Sequence, residues 1–340
     1  MVSRQRGMVA PLAGPGLRWR SARHLGSPIK MTDLGRSRPV LILGTGQVGS
    51  ELAAAKWPSG LVPVVRDRKR IDLSNQGSVS AGVADQPWAF VINAAAYTAV
   101  DKAETDPEAA FAVNRDGPRW LAEACARAHI PLLHLSTDYV FDGQKQEPYR
   151  ETDPVAPLGV YGASKEAGEA ALRAVWERHI ILRTAWVFSA HGHNFVKTML
   201  RLGRERDELR VVADQYGCPT AASDIATSII DIVRQLTDDK PRGGGQREGW
   251  GTYHFVGAGP TTWYGLADAV MAGLAKQEGR RPVVLPITTA QYPTPARRPV
   301  NSVLDCTQIE AVFGIRPRSW REGLDEVLQT LGTSGKRESR

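Results

Sequence analysis

Pro39-Val-Leu-Ile-Leu43 runs into Gly44-Thr45-Gly46-Gln47-Val48-Gly49, and Ser50 to Lys56 follow with helix-forming residues. An apolar run of this length that ends on glycine reads as a buried parallel strand. Strand, glycine-rich turn and helix in that order form the context in which G-x-G-x-x-G binds a dinucleotide. The glycines admit a tight turn and close approach of a pyrophosphate, which meets the N–H groups and positive dipole end of the helix. The bland reading is a tight strand–helix turn with no ligand. The fold class expected from this stretch is α/β, a doubly wound parallel sheet of Rossmann type with a smaller mixed α/β substrate lobe.

The following segments extend the same pattern. Leu61 to Val65 reads as the second strand, Trp88 to Asn93 as the third, Pro131 to Ser136 as the fourth and His179 to Thr184 as the fifth. Helix starts are expected at Thr105-Asp106-Pro107, with Asp106 as a capping acid, and at Ser223, with its hydroxyl as the cap. Tyr161 to Trp176 reads as a helix with Glu169 on its polar side, and His134 as a satisfied core histidine. After strand five the alternation loosens, and a final helix is expected from about Trp320 to Leu331. The expected organisation is a disordered extension over 1–36, a dinucleotide-binding core over 37–186, a mainly substrate-binding lobe over 187–331 with segments returning to the core, and a disordered tail over 332–340.

Composition narrows the function classes. The 340 residues carry a net charge of +7. Arg4, Arg6, Arg18, Arg20, Arg23 and Lys30 supply six of those charges with no acid among residues 1–30, leaving the rest of the chain near neutral. No basic stripe interleaved with aromatics is left to bind nucleic acid. Apolar runs are far shorter than a membrane span, so neither nucleic acid nor membrane is an expected partner. The extension has no apolar core of a secretory signal, and reads either as a targeting peptide or as residues before a start at Met31. Cys125, Cys218 and Cys306 are odd in number and widely spaced, which suits reduced structural thiols in a cytoplasmic protein.

The chemistry sits at the C-terminal ends of the strands, where open α/β sheets bind ligands. Strand four delivers Ser136, Thr137 and Asp138. Tyr161 and Lys165 lie four residues apart, on one face of a helix that returns beside that strand. A lysine near a tyrosine favours phenolate and lowers its pKa. Thr137, Tyr161 and Lys165 are then a candidate catalytic set for reducing a carbonyl, with Tyr161 as proton donor. At the end of strand two, Arg66 and Arg68 suit a 2′-phosphate, while Asp67 opposes that reading. Trp186, Asn194, the 214–220 loop and Arg297/Arg298 are further ligand candidates, for which packing or solvation is an equal explanation.

The string of segments Gly46-Gln47-Val48-Gly49, Asn93-Ala-Ala-Ala-Tyr-Thr-Ala-Val-Asp101, Ser136-Thr-Asp-Tyr-Val-Phe-Asp-Gly143, Tyr161-Gly-Ala-Ser-Lys165, Arg183-Thr-Ala-Trp186, Asp214-Gln-Tyr-Gly-Cys-Pro-Thr220 and Arg298-Pro-Val-Asn-Ser302 resembles the extended short-chain dehydrogenase/reductases over roughly residues 39–331. Within them it is similar to the branch that reduces 4-keto dTDP-sugars. The resemblance implies hydride delivery to C4 of dTDP-4-dehydro-L-rhamnose, the last step of dTDP-L-rhamnose synthesis, by a monomer or homodimer. It implies that Tyr161 donates the proton with Thr137 and Lys165 assisting. Gly46, Gln47 and Val48 would hold the pyrophosphate, and Asp72 and Leu73 the adenine side. Ala96, Tyr97, Thr98 and the Leu135 backbone would contact the cofactor, and Thr137, Asp138 and Trp186 the sugar nucleotide. One residue fewer than usual separates the first two glycines. Arg66, where some members carry an acid, favours NADPH over NADH. Glu51 matches one magnesium ligand of members that bridge a dimer by metal, but Ser223 stands at another, so no metal is expected. Two rivals share the fold: a 4,6-dehydratase or epimerase, and a regulatory subunit of the methionine adenosyltransferase type. Asp138 is followed by Tyr139 rather than the glutamate a dehydratase needs.

Overall fold

The computed structural model describes residues 37–238 and 249–335. The expectations for residues 1–36, for a connector over 239–248 and for 336–340 lie outside them. The central sheet has six parallel strands: β1 (Arg38–Leu43), β2 (Leu61–Arg66), β3 (Phe90–Asn93), β4 (Leu132–Thr137), β5 (His179–Thr184) and a sixth, Gly251–His254. Their spatial order is β2, β1, β3, β4, β5, then the sixth strand. Side chains alternate between the two faces of the sheet. Val40 and Ile42 join one apolar core with Leu133, Ile180 and the Ala222–Thr237 helix. Leu41 and Leu43 join another with Val91, Ile181, Leu121 and Leu172. Both faces are buried, which is why these strands are apolar throughout.

The smaller lobe has its own core, in which Met199, Leu200, Leu209, Val211, Leu266, Val270, Val284 and Leu328 pack together. A two-stranded parallel sheet pairs Glu208–Val212 with Val283–Ile287. The sixth strand of the main sheet comes from this later part of the chain, with Gly251 to His254 pairing Ile180 to Arg183.

Several local expectations are corrected. The first helix, α1, begins at Gln47 and ends at Ala54, so the glycine turn is one residue from helix. Asp106 precedes a helix at Pro107 without a side-chain cap, and Ala112–Asp116 widens into a π-turn before the Gly117–Ala128 helix. Pro118 lacks an N–H, and the wider turn accommodates it within a continuous helical path. Ser223 lies inside a helix that starts at Ala222. The final helix continues past Leu331 to Gly335.

Candidate active site

The three glycines of the first turn do different jobs. Gly44 has φ +104°, and a Cβ there would sit 2.9 Å from the Ala95 nitrogen. Its own N–H donates to the Arg66 carbonyl at 3.1 Å. Gly49 lies so close to the Gly44 carbonyl that a Cβ would come within 2.0 Å of that oxygen. Gly44 and Gly49 therefore let chain pack on chain, despite the shortened spacing. Gly46 is exposed, with nothing within 4 Å of where its Cβ would be. It opens a cradle at the N-terminus of α1, which fits a pyrophosphate. Val48 is buried in the core beneath. The Gln47 side chain points elsewhere: its Oε1 accepts from Asn194 Nδ2 at 2.9 Å and from the Ser189 hydroxyl at 3.2 Å. Only the Gln47 backbone faces the cradle's role. Asn194 also caps its helix, accepting from the Lys197 N–H at 3.0 Å. It is thus a clamp between the glycine turn and the small lobe.

On the adenine side, Arg66 closes β2 opposite Leu43. Its guanidinium is 3.7 Å from exposed Asp85, a contact that solvent weakens and a phosphate can replace. Asp67 accepts from the Arg70 N–H at 3.1 Å, so its carboxylate is engaged in its own turn. Asp72 accepts from the N–H and hydroxyl of Ser74 at 2.9 and 2.7 Å, which hold its carboxyl below the usual range. Leu73 is buried, its carbonyl packed against Gly117. Ala96, Tyr97 and Thr98 follow β3. Buried Asn114 grips Tyr97 from both sides, accepting its N–H at 2.8 Å and donating to its carbonyl at 3.0 Å. A third Asn114 bond reaches the Ser164 hydroxyl at 3.0 Å, so Asn114 ties the loop after β3 to the Tyr161 helix.

Thr137 ends β4, and Tyr161 opens the Val160–Val175 helix. Gly162 lets that helix approach: a Cβ there would lie 2.1 Å from the Tyr139 carbonyl. Tyr139 meets Tyr161 edge-on, with ring centroids 5.7 Å apart. The Thr137 hydroxyl donates to Asp138 Oδ1 at 3.0 Å and accepts from the Tyr139 N–H at 3.2 Å. Burial pushes the Tyr161 phenol up to about 12, with Thr137 opposing and the Asp138 charge adding to the rise. Asp138 is buried and its carboxyl is raised to about 6 by that burial; its Oδ2 has no hydrogen-bond partner.

Lys165 departs from expectation. Its Nζ donates to the Leu135 carbonyl at 2.6 Å and lies 3.1 Å from His134 Nε2. Burial brings the amine down to about 8, with the Glu169 charge opposing. The influences that set the Tyr161 phenol are burial, Thr137 and Asp138, not Lys165. Burial weakens the lysine's hold on its proton, yet at about 8 the amine is still mostly ammonium at neutral pH. The carbonyl of Leu135, expected at the cofactor, is the acceptor that holds Lys165.

Two further readings change. Glu169 is fully buried rather than on a polar face, and pairs with Arg183 at 2.7 Å and Arg173 at 2.9 Å. Its position one turn after Lys165 places it against the sheet, where β5 supplies Arg183. His134 is satisfied, as expected, but its partners are Asn93 and the site lysine. The available signal was the period of two along β4, which puts residues 134 and 136 on one face.

At the substrate end, Trp186 has φ +47° and stacks on Trp263, with centroids 3.6 Å apart and planes 7° from parallel. Trp263, which sequence reading missed, donates to Gln215 Oε1 at 3.2 Å. One face of Trp186 is therefore already covered. Gly217, from the 214–220 loop, lies against the same indole. Arg298 is committed to Asp101 at 2.9 Å and to Thr294 and the Ala296 carbonyl, whereas Arg297 is exposed beside Tyr139 and Tyr161. Glu51 and Ser223 line a surface groove away from this cluster. Among the described residues no group of three or more His, Cys, Asp or Glu is placed to hold a metal, and no helix is long and apolar enough to cross a membrane.

A six-stranded Rossmann-like sheet, with a glycine cradle after β1 and Thr137, Tyr161 and Lys165 gathered at the ends of β4 and the next helix, is the framework of short-chain dehydrogenase/reductases. The family model for the RmlD substrate binding domain matches residues 38–333, and the chain belongs to that family. It is 44% identical over 291 residues to the dTDP-4-dehydrorhamnose reductase of Sinorhizobium fredii, covering 86% of this chain and 96% of that protein. The Escherichia coli dTDP-4-dehydrorhamnose reductase is 40% identical, covering 87% and 98%. The crystal structure of dTDP-4-dehydrorhamnose reductase from Bacillus anthracis, in complex with NADP, superposes with a TM-score of 0.79 at 33% identity, covering 86% and 99%.

Proposed function

We propose that this chain reduces the C4 keto group of dTDP-4-dehydro-L-rhamnose to give dTDP-L-rhamnose, the last step of dTDP-rhamnose synthesis, with NADPH as reductant. The observation that carries the reading is the placement of Thr137 at the C-terminal end of β4 and of Tyr161 at the start of the helix that returns beside it, on the same edge as the open Gly46 cradle. Bound over that cradle, the nicotinamide supplies a hydride. Gly46, Val48 and the Gln47 backbone hold the pyrophosphate, and Arg66 the 2′-phosphate. Asp72 and Leu73 border the adenine; Ala96, Tyr97 and Thr98 line the nicotinamide side.

The residues of the chain manage the proton. A phenol held up to about 12 keeps its proton at neutral pH. It gives that proton up only when a carbonyl oxygen beside it gains negative charge, as a general acid should. Thr137 orients both phenol and carbonyl. Asp138 and the free side of Trp186 meet the sugar nucleotide. Lys165 binds the nicotinamide ribose. Residues 37–186 carry most of the cofactor site and 187–331 most of the substrate lobe. We further propose that the protein acts in the cytoplasm, as a monomer or homodimer, without a metal.

Tyr139 argues against the dehydratase. It stands after Asp138 and packs its ring on Tyr161, leaving no second carboxylate for elimination. The test is NADPH absorbance with a panel of 4-keto dTDP-sugars. Oxidation is expected with dTDP-4-dehydro-L-rhamnose. Silence with every sugar and both NADPH and NADH would favour the regulatory-subunit reading.

A further inference from the structure

Behind Lys165 lies a chain of hydrogen bonds whose direction is fixed at one end. A backbone N–H can only donate. The Ala95 N–H meets Asn93 Oδ1 at 3.1 Å, which orients the amide. Asn93 Nδ2 therefore points the other way and donates to His134 Nδ1, 3.0 Å away. A ring nitrogen that accepts carries no proton, so the proton of the neutral imidazole is on Nε2. That N–H faces Lys165 Nζ at 3.1 Å. An ammonium has no lone pair to receive it. The amine is left to accept from His134 through its lone pair and to donate to the Leu135 carbonyl at 2.6 Å.

We propose that the Ala95–Asn93–His134 chain biases Lys165 toward the neutral amine in the cofactor-free protein, and that above neutral pH Lys165 takes up a proton from solvent when the cofactor seats. This rests on the reading of Lys165 as a cofactor contact. His134 is a positioning residue: it touches neither substrate nor cofactor and acts through the lysine.

The surroundings agree. Asn93, His134, Lys165 and Glu169 are all at most 2% exposed, so no water competes for these bonds. Burial keeps His134 from taking a second proton. The Glu169 charge favours the ammonium, but its carboxylate is already engaged by Arg183 and Arg173. Arg183 in turn faces His254, itself held neutral by burial. With the ammonium disfavoured, the lysine delivers its charge to the Tyr161 phenol only after the cofactor has drawn Nζ off His134. Coupling of this kind would make cofactor affinity fall as pH rises through the lysine's range.

Ring-nitrogen NMR of the cofactor-free protein tests the first half directly, without any turnover. Expected are a Lys165 side chain that titrates near 8 and, once it is neutral, at about pH 9, a protonated Nε2 and a bare Nδ1 at His134. A proton on Nδ1, or a Lys165 that stays charged above pH 9, overturns the proposal. Calorimetry of NADPH binding in buffers of different ionisation enthalpy tests the second half. At pH 9 the wild type is expected to take up close to one proton per cofactor. His134→Gln, which offers an amide oxygen to an ammonium, is expected to raise the Lys165 midpoint by a unit or more and bring that uptake near zero. Unchanged uptake in His134→Gln contradicts the assignment, whatever its effect on stability. If the protein proved not to be a reductase, turnover would fail while the NMR result stood.

Discussion

Glu169 holds Arg183 through three hydrogen bonds, from Nε at 3.0 and 3.3 Å and from Nη2 at 2.7 Å, with both side chains out of water. The pair joins the middle of the Tyr161 helix to β5, one turn past Lys165. Removing one partner strands a buried charge, a loss of about 3–5 kcal/mol. Glu169→Gln is expected to lower unfolding free energy by an amount of that order in urea titrations, with the transition remaining cooperative. A loss below about 1 kcal/mol would mean that the pair is solvated in the native protein. The carboxyl lies below its ordinary value in the folded state. Its contribution is therefore complete above the unfolded pKa and disappears as pH falls through the folded one.

Asn194 and Gln47 connect the two lobes. Asn194→Ala removes a helix cap, worth about 1 kcal/mol, and releases Gln47 Oε1. A double-mutant cycle with Gln47→Ala is expected to give a coupling of about 0.5 kcal/mol or more. The KM for NADPH should rise in both single variants. Strict additivity would show that the clamp is not formed in solution.

Arg66 discriminates between cofactors if it holds the 2′-phosphate. Arg66→Ala is expected to raise KM for NADPH by about tenfold, equivalent to about 1.4 kcal/mol, and to leave KM for NADH nearly unchanged. Equal rises for both would remove Arg66 from that site.

Asp138 has the opposite pH signature to Glu169. Its folded pKa, about 6, lies above the ordinary 3.8, so the folded state binds the proton more tightly. Stability from this group is present below the unfolded pKa and falls as pH rises from about 4 to about 6, by up to about 3 kcal/mol for a shift of this size. Asp138→Asn, which cannot ionise, should gain on the wild type across that window. A stability difference between the two proteins that does not change with pH would show Asp138 to be ordinarily acidic.

Much of the fold was legible because it is written locally. The apolar run to Leu43, the glycine turn and the helix behind it are contiguous, and each recurring strand repeats the signal. The placement of Thr137 and Tyr161 followed from that topology. What was not legible depends on partners far along the chain. Glu169 reads as lying on the polar side of its helix because nothing local announces Arg183. His134 was read as ordinary core because its role depends on Asn93, 41 residues earlier, and Lys165, 31 later. Trp263 lies 77 residues beyond Trp186, and only the folded small lobe stacks them. Spacing alone predicted a lysine that lowers the tyrosine pKa. It gave no account of the burial that brings that lysine down to about 8.

The central claim is that the Tyr161 phenol donates the proton that accompanies hydride transfer to the sugar. Tyr161→Phe removes one oxygen and little else from a packed site. The direct measurement is the rate of NADPH oxidation by wild type and Tyr161→Phe with dTDP-4-dehydro-L-rhamnose, alongside the Kd for NADPH. The expected result is a loss of kcat of about a hundredfold or more, in the range of general acid catalysis, with Kd for NADPH nearly unchanged. Full activity in Tyr161→Phe would contradict the account.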